Sequence, residues 1–425
     1  MNDWKESFIK YFEEGAKQSE TLMLGVEAEH FIIDRETREA VPYLGEKGIR
    51  QILLRLIKLY PNAEILSDDD FFGFRVPDFS VTLEPAAQME ISIAPKKSIR
   101  QIGEIYHGFY QNLNTILFKL GYEAINAGCQ PVSRVADLKM IPKRRYDLMN
   151  AYFGNLGTGG MEMMRGSASL QVSVDYRSET DFRRKIQAAY YYAPVLKLLC
   201  DNSAGFQGEF LKKNLKRTDI WRRVDPVRCG ILPKVFSDTY GFADYADFLG
   251  AVPPIFLKYK DQTIPTGDRT IAELFDNKEL TNDEIEHLIS MAFPDVRLKQ
   301  FIELRFADSV PFHFILAYCA LIKGLIYSEE GLEYAKKQIS DNNISEECII
   351  QAEDELMDRG WEACIYGHPV KKLAKNILDL ARRNLLEEEH RYLSAFDAVI
   401  EYGGICKIPK KVICCARRLS NEITG

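Results

Sequence analysis

Acidic residues recur at alternate positions among apolar ones in four short stretches of the chain. They are Gly25-Val26-Glu27-Ala28-Glu29-His30-Phe31, Thr82-Leu83-Glu84-Pro85, Gln88-Met89-Glu90-Ile91-Ser92 and Phe301-Ile302-Glu303-Leu304-Arg305-Phe306. Successive strand side chains point to opposite faces. Glu27 and Glu29 therefore share a face, as do Gln88, Glu90 and Ser92, and also Glu303 and Arg305. Each strand would bury its apolar residues on one side and raise carboxylates on the other. Several such strands in one sheet would line a floor with negative charge, which needs cations. Oxygen ligands without a matching histidine or cysteine cluster select a hard ion, magnesium or manganese. Magnesium in such a cleft usually carries nucleotide phosphates, so the pattern predicts a magnesium-dependent enzyme using ATP.

Each of these signals has a plainer explanation when taken singly. Alternating glutamates are common on an antiparallel face wetted by solvent. Glu303 and Arg305 suit a metal ligand beside a phosphate clamp, or equally a salt bridge on an edge strand. It is the repetition across four strands that asks for a shared cause. Asp68-Asp69-Asp70 reads as a solvated turn, and His30, opposite the Glu27 and Glu29 face, as a core or edge residue.

The elements that must hold these residues follow from periodicity. An amphipathic helix opens the chain at Trp4–Ala16, with Trp4, Phe8, Ile9, Tyr11 and Phe12 at helical spacing. Strands are predicted at 22–33, 79–84, 87–93, 122–129 and 168–176, and helices at 48–60, 95–120, 179–199 and 242–249. The stretch 205–235 reads as loop, and 258–282 as a charged lid or insertion. Beyond Phe314 the pattern is helical throughout. No linker or repeat appears, so residues 1–315 read as a catalytic α+β domain and 316–425 as a helical region packed on the same unit.

Composition narrows the class. The chain has 425 residues, 46% of them hydrophobic and 28% charged, with a formal net charge of -7. That balance suits a soluble globular protein and gives no basic stripe for nucleic acid or a membrane surface; Lys143-Arg144-Arg145 and Arg222-Arg223 read as local features. No run is apolar for long enough to span a bilayer, and Met1–Glu6 does not read as a secretory signal. The nine cysteines form no CxxC pair, and Cys414-Cys415 is unsuited to ordinary disulfide or zinc geometry; a reduced cytoplasmic protein is the expectation. Thr158-Gly159-Gly160 lacks the GK[ST] element of a P-loop, and there is no GxGxxG, GxSxG or HExxH.

At these residues the chain resembles the plant and proteobacterial type of glutamate–cysteine ligase. The likeness lies in runs: Gly25–Glu29, Leu83–Pro95, Met140–Tyr146 with Met149, Met163-Met164-Arg165 leading into Gln171–Asp175, Gly230–Pro233, and Phe293–Lys299 ending in Glu303-Leu304-Arg305. It covers roughly residues 20–320. The resemblance implies the glutamine synthetase type of fold, a curved antiparallel sheet funnel flanked by helices. It implies that Glu27, Glu29, Glu84, Glu90 and Glu303 bind metal and that Arg305 faces the ATP phosphates. By the same likeness Arg165 and Arg228 serve the glutamate end and the transferred phosphoryl group, while Gln171 and Gln88 face substrate or metal. The family's glycine pair before Gln88 is Ala86-Ala87 here, and the neighbours of Trp221 differ.

The activity implied is phosphorylation of the γ-carboxylate of L-glutamate by ATP, then attack by the amine of L-cysteine to give γ-glutamylcysteine. Catalysis would rest on positioning and charge, with Arg305, Arg165 and Glu303 at the reacting centre. Two other readings stay open on sequence: a carboxylate–amine ligase with another acceptor, and a non-catalytic nucleotide- or amino-acid-binding regulator. Oligomeric state, and whether the product enters glutathione or another thiol, are not encoded in these motifs.

Overall fold

A computed structural model describes residues 3–19, 21–67, 70–157, 159–259 and 262–409. Asp68, Asp69, Thr158 and the Cys414-Cys415 pair lie outside the described residues. Nine strands form one sheet: β1 (Leu24–Asp34), β2 (Glu64–Ser67), β3 (Phe71–Val76), β4 (Phe79–Leu83), β5 (Met89–Lys96), β6 (Tyr122–Ile125), β7 (Ser169–Val174), β8 (Val296–Leu298) and β9 (Ile302–Asp308). Their order is β8-β9-β7-β1-β5-β4-β3-β2, with β6 paired to the end of β1, and every pairing is antiparallel. The sheet is open rather than a closed barrel, and the mixed antiparallel α+β class expected from the sequence is what the chain adopts.

One face of the sheet is apolar. Val26, Ala28, Val81, Ile91, Leu170, Val172 and Leu304 are all buried there. Helices Ile99–Leu120, Glu179–Leu199 and Phe312–Ile326 pack against it. The first is started by Ser98, whose side chain accepts from Arg100 N, and stopped by Gly121 at φ 80. The second is capped by Ser178 and carries Tyr190, Tyr191 and Tyr192 fully inside. His30 points to this side: its Nε2 lies 2.6 Å from the Tyr106 hydroxyl, and burial pushes its pKa down to about 4. It is a core residue.

The main hydrophobic core runs from Trp4 through the sheet helices to Ile408, and a small separate cluster joins Phe31, Ile33 and Ala168. The position 315/316 falls inside helix Phe312–Ile326, so the C-terminal helices continue the layer that covers the sheet. No single described helix is long and apolar enough to cross a membrane. Helices Arg144–Leu156 and Gly160–Gly166, to which the sequence pattern assigns no element, join Lys216–Arg222, a helix inside the stretch expected to be loop, over the polar face. The 258–282 segment contains a two-stranded hairpin, Phe256–Tyr259 with Gln262–Pro265, and a short helix, Ile271–Leu274.

Candidate active site

The register places the carboxylates side by side. Glu29 on β1 lies opposite Glu90 on β5, and Glu90 opposite Thr82 on β4; Glu27 lies between Ser92 on β5 and Gln171 on β7. Glu84 follows β4 in a tight turn closed by Ala87 N donating to Glu84 O at 2.9 Å. Ala87 is held there at φ 65, the left-handed region where a glycine costs nothing. Glu27, Glu29, Glu84 and Glu90 thus line one basin of ≈ 250 Å³, with Gln88, Gln171 and Arg305 on its walls.

The four carboxylates differ in how they are satisfied. Glu29 accepts from Ser169 N at 2.9 Å and Ser169 Oγ at 2.7 Å. Glu90 accepts from Thr82 and Ser92 hydroxyls, both at 3.1 Å. Glu27 and Glu84 accept no side-chain hydrogen bond from any described residue. Burial, then the charge of Glu303, raises the pKa of Glu27. Burial, then Glu29, pushes Glu84 up to about 7, against the pull of Lys143. Glu90 is driven well above the carboxylate range by burial, then by Glu27 and Glu84. Like charges crowded away from water hold protons unless a cation replaces them.

Glu303 behaves in the opposite way. It is fully buried, and its carboxylate receives Arg297 Nε at 2.7 Å, Arg305 Nη1 at 2.9 Å and Lys299 Nζ at 3.2 Å. Burial alone would raise its pKa, but these three cations hold it well below the usual range. Arg305 Nη1 also donates to Gln171 Oε1 at 2.5 Å. Glu303 and Arg305 do share a face, but as the hub of an ion cluster behind the basin rather than a carboxylate open to it. A bulge in β9 between Leu304 and Ala307 breaks the alternation, so Arg305 and Phe306 both reach an adjoining cavity of ≈ 560 Å³.

Among the described residues, no three His, Cys, Asp or Glu side chains are already gathered around a common point for an ion. The donor set nevertheless fits a hard divalent cation. Glu27 and Glu84 are oxygen donors open to the basin, unpaired, with Glu29 and Glu90 beside them. Glu303 fits less well, since its oxygens are occupied by cations.

Two expected substrate residues lie elsewhere. Arg165 follows Met163 and Met164, which line the basin; one further helical step of about 100° turns it away. Its guanidinium donates to Leu138 O at 3.1 Å and Asn150 Oδ1 at 2.7 Å. Arg228 is fully buried and spends its donors on Asp225 (2.7 Å), Met291 O (2.9 Å), Tyr152 (2.7 Å) and Pro253 O (2.9 Å), tying loops together. Gln88 borders the basin, but its amide bonds Met164 O, Ser167 O and Ala86 N, so it shapes the wall.

Other arginines take those places. Arg145, Arg217 and Arg297 all line the basin. Arg217 is 5% exposed, donates to Arg305 O at 3.1 Å and leaves its Nε buried without a partner among the described residues. Arg217 and Trp221 stand four apart on one helix and reach both the basin and the larger cavity, a spacing visible in the sequence. Arg297 lies opposite Glu303 across the β8–β9 hairpin, a pairing that the alternation of Val296-Arg297-Leu298 could have indicated. Arg145 sits in the basic triplet read as a local feature.

An antiparallel sheet with a floor of carboxylates and a wall of arginines is the site of an enzyme that handles anionic substrates. The chain belongs to the glutamate-cysteine ligase family 2 (GCS2), which it matches over residues 23–408. It is 29% identical over 411 residues to the chloroplastic glutamate–cysteine ligase of Arabidopsis thaliana, covering 94% of this chain and 77% of that one. It is also 29% identical over 410 residues to chloroplastic glutamate–cysteine ligase A of Oryza sativa subsp. indica, covering 94% and 82%. In fold it is similar to the glutamate–cysteine ligase of Francisella tularensis solved in complex with AMP, at a TM-score of 0.52, 10% identity and coverage of 96% and 90%.

Proposed function

We propose that the chain joins the γ-carboxylate of L-glutamate to the amine of L-cysteine at the expense of ATP, through a γ-glutamyl phosphate. Membership of the family supports the reaction. The observation that carries it to these residues is the Glu303–Arg305–Gln171 cluster standing beside carboxylates that lack partners.

A carboxylate is a poor electrophile, and phosphorylation supplies a leaving group that an amine can displace. A γ-carboxylate oxygen of glutamate bonds to the terminal phosphorus of ATP, and ADP leaves with the bridging oxygen's electron pair. Arg305 meets the charge spread over the transferred phosphoryl oxygens. Its orientation is fixed beforehand by Glu303 and Gln171, so little reorganisation is needed at reaction. Arg217 and Arg297 add positive charge on the same flank. The amine nitrogen of cysteine then bonds to the acyl carbon, phosphate departs, and the amine gives up a proton.

Glu27, Glu29, Glu84 and Glu90 would hold Mg2+ or Mn2+, which neutralises nucleotide phosphate charge when bound. The helices Arg144–Leu156, Gly160–Gly166 and Lys216–Arg222 cover the basin and exclude water that would hydrolyse an acyl phosphate. The adjoining ≈ 560 Å³ cavity supplies room beyond the basin's ≈ 250 Å³ for three substrates. A reduced, cytoplasmic setting is part of this proposal, supported by cysteine spacing.

ADP release with glutamate and a panel of amines tests the reading. It predicts turnover with L-cysteine and a product of γ-glutamylcysteine mass. A preference for another amine, or none with any, overturns it.

A further inference from the structure

A second cavity, of ≈ 480 Å³, opens beside the basin and shares Arg145 and Tyr146 with it. Its walls carry Lys143, Arg144, Arg145 and Lys258 together with Phe72 and Phe256, and no carboxylate. None of the four cations forms an ion pair with a described residue. Lys143 Nζ lies 5.8 Å from the Phe72 ring centre and 5.5 Å from that of Tyr146, and the Arg145 guanidinium 5.7 Å from that of Phe256. The aromatic faces position positive charge without neutralising it.

Both substrates that carry carboxylates must approach a basin floored with carboxylates. Two basic groups border that floor. Arg297, Lys299 and Arg305 gather at Glu303 on β9, where the phosphoryl group is clamped. The cation-lined cavity adjoins Phe72 on β3 and Tyr146, which bonds the end of β4 beside Glu84, and of its cations Arg145 alone reaches into the basin that Arg297 and Arg305 also line.

The geometry points to this cavity as an anteroom that captures the dicarboxylate amino acid and passes it to Arg145, with Arg144 and Lys258 setting its apparent affinity from outside the basin. This rests on the ligase reading above. The nucleotide phosphates are met by Arg305, which does not line this cavity, so the nucleotide does not use it. Arg144 and Lys258 are exposed, so their exchange leaves the core intact.

The test is the double charge reversal R144E/K258E, with R144Q/K258Q as its neutral counterpart, both checked by thermal unfolding. Focusing by unpaired cations predicts that KM for L-glutamate rises about tenfold in the reversal and less in the neutral pair. KM for ATP and kcat should change by less than about twofold, and the fall of kcat/KM for glutamate with added salt should flatten. An unchanged KM for glutamate with an unchanged salt dependence overturns the anteroom, as does a rise confined to ATP. Calorimetric binding of L-glutamate to the wild-type and variant proteins reads the same difference without turnover. A wild-type enzyme that binds glutamate but makes no γ-glutamylcysteine would count against the ligase reading alone.

Discussion

Glu84 combines an unpaired carboxylate, a raised pKa of about 7 and two acidic neighbours, Glu29 and Glu27. Its ordinary value is 4.5, so between pH 4.5 and 7 the folded state binds more protons than the unfolded one. The sign follows from linkage: metal-free protein gains stability as pH falls through that window and loses it as pH rises. Thermal unfolding in chelator should therefore give a higher Tm near pH 5.5 than near pH 8 from this group, a contribution of order 1 kcal/mol. Mg2+ at pH 8 should restore it. Glu84→Gln should flatten both responses, and an unaltered Mg2+ shift in that variant would remove Glu84 from the metal site.

The same scale separates Arg305 from Glu303. Arg305→Lys keeps the charge but loses the planar guanidinium whose Nη1 meets both Glu303 and Gln171, so kcat should drop by on the order of 10²–10³ with little change in Tm. Glu303→Gln strands three cations around a buried neutral group. It should cost about 3–5 kcal/mol of stability as well as turnover, measured by denaturant unfolding. Equal Tm losses in the two variants would contradict the roles assigned.

At the scale of elements, the turn between β4 and β5 aims Glu84 at the basin while Ala87 sits at φ 65. Ala87→Gly relieves a left-handed alanine and should stabilise by about 0.5–1 kcal/mol, net of glycine's greater chain entropy, with kcat unchanged. A destabilised variant would mean that the backbone there is not strained. Helix Lys216–Arg222 offers an optical reporter. Trp221 borders the basin, whereas Trp4 and Trp361 are buried in the core. Substrate binding should shift intrinsic fluorescence, and Trp221→Phe should abolish the shift; a shift that persists would place the ligands elsewhere. Strands are readable from sequence because period-two alternation fixes a face, and that is why the common face of Glu27, Glu29, Glu90 and Glu303 is legible. Arg165 was not placed correctly because it rides a short helix on which one residue's step redirects the side chain. Arg228 belongs to a loop whose course depends on Tyr152 and Met291, far away in sequence, as well as on neighbouring Asp225.

Over the whole molecule, alternation and length gave the α+β class and the helical C-terminal part, since burying a two-faced sheet demands helices on its apolar side. The strands at Glu64–Ser67 and Phe71–Val76 and the covering helix Arg144–Leu156 escaped because their patterns are short or mixed in polarity. What no local pattern could show is how that acidic floor is bordered, by a Glu303 clamped among three cations and by a cavity lined with cations. That acidic floor makes the cation requirement the central claim. The most direct measurement follows ADP and γ-glutamylcysteine together while Mg2+ is titrated into chelated protein with ATP, L-glutamate and L-cysteine. The account predicts that both products appear one for one and only with the added ion. Products formed at full rate in chelator, or ADP released without the dipeptide, would contradict it.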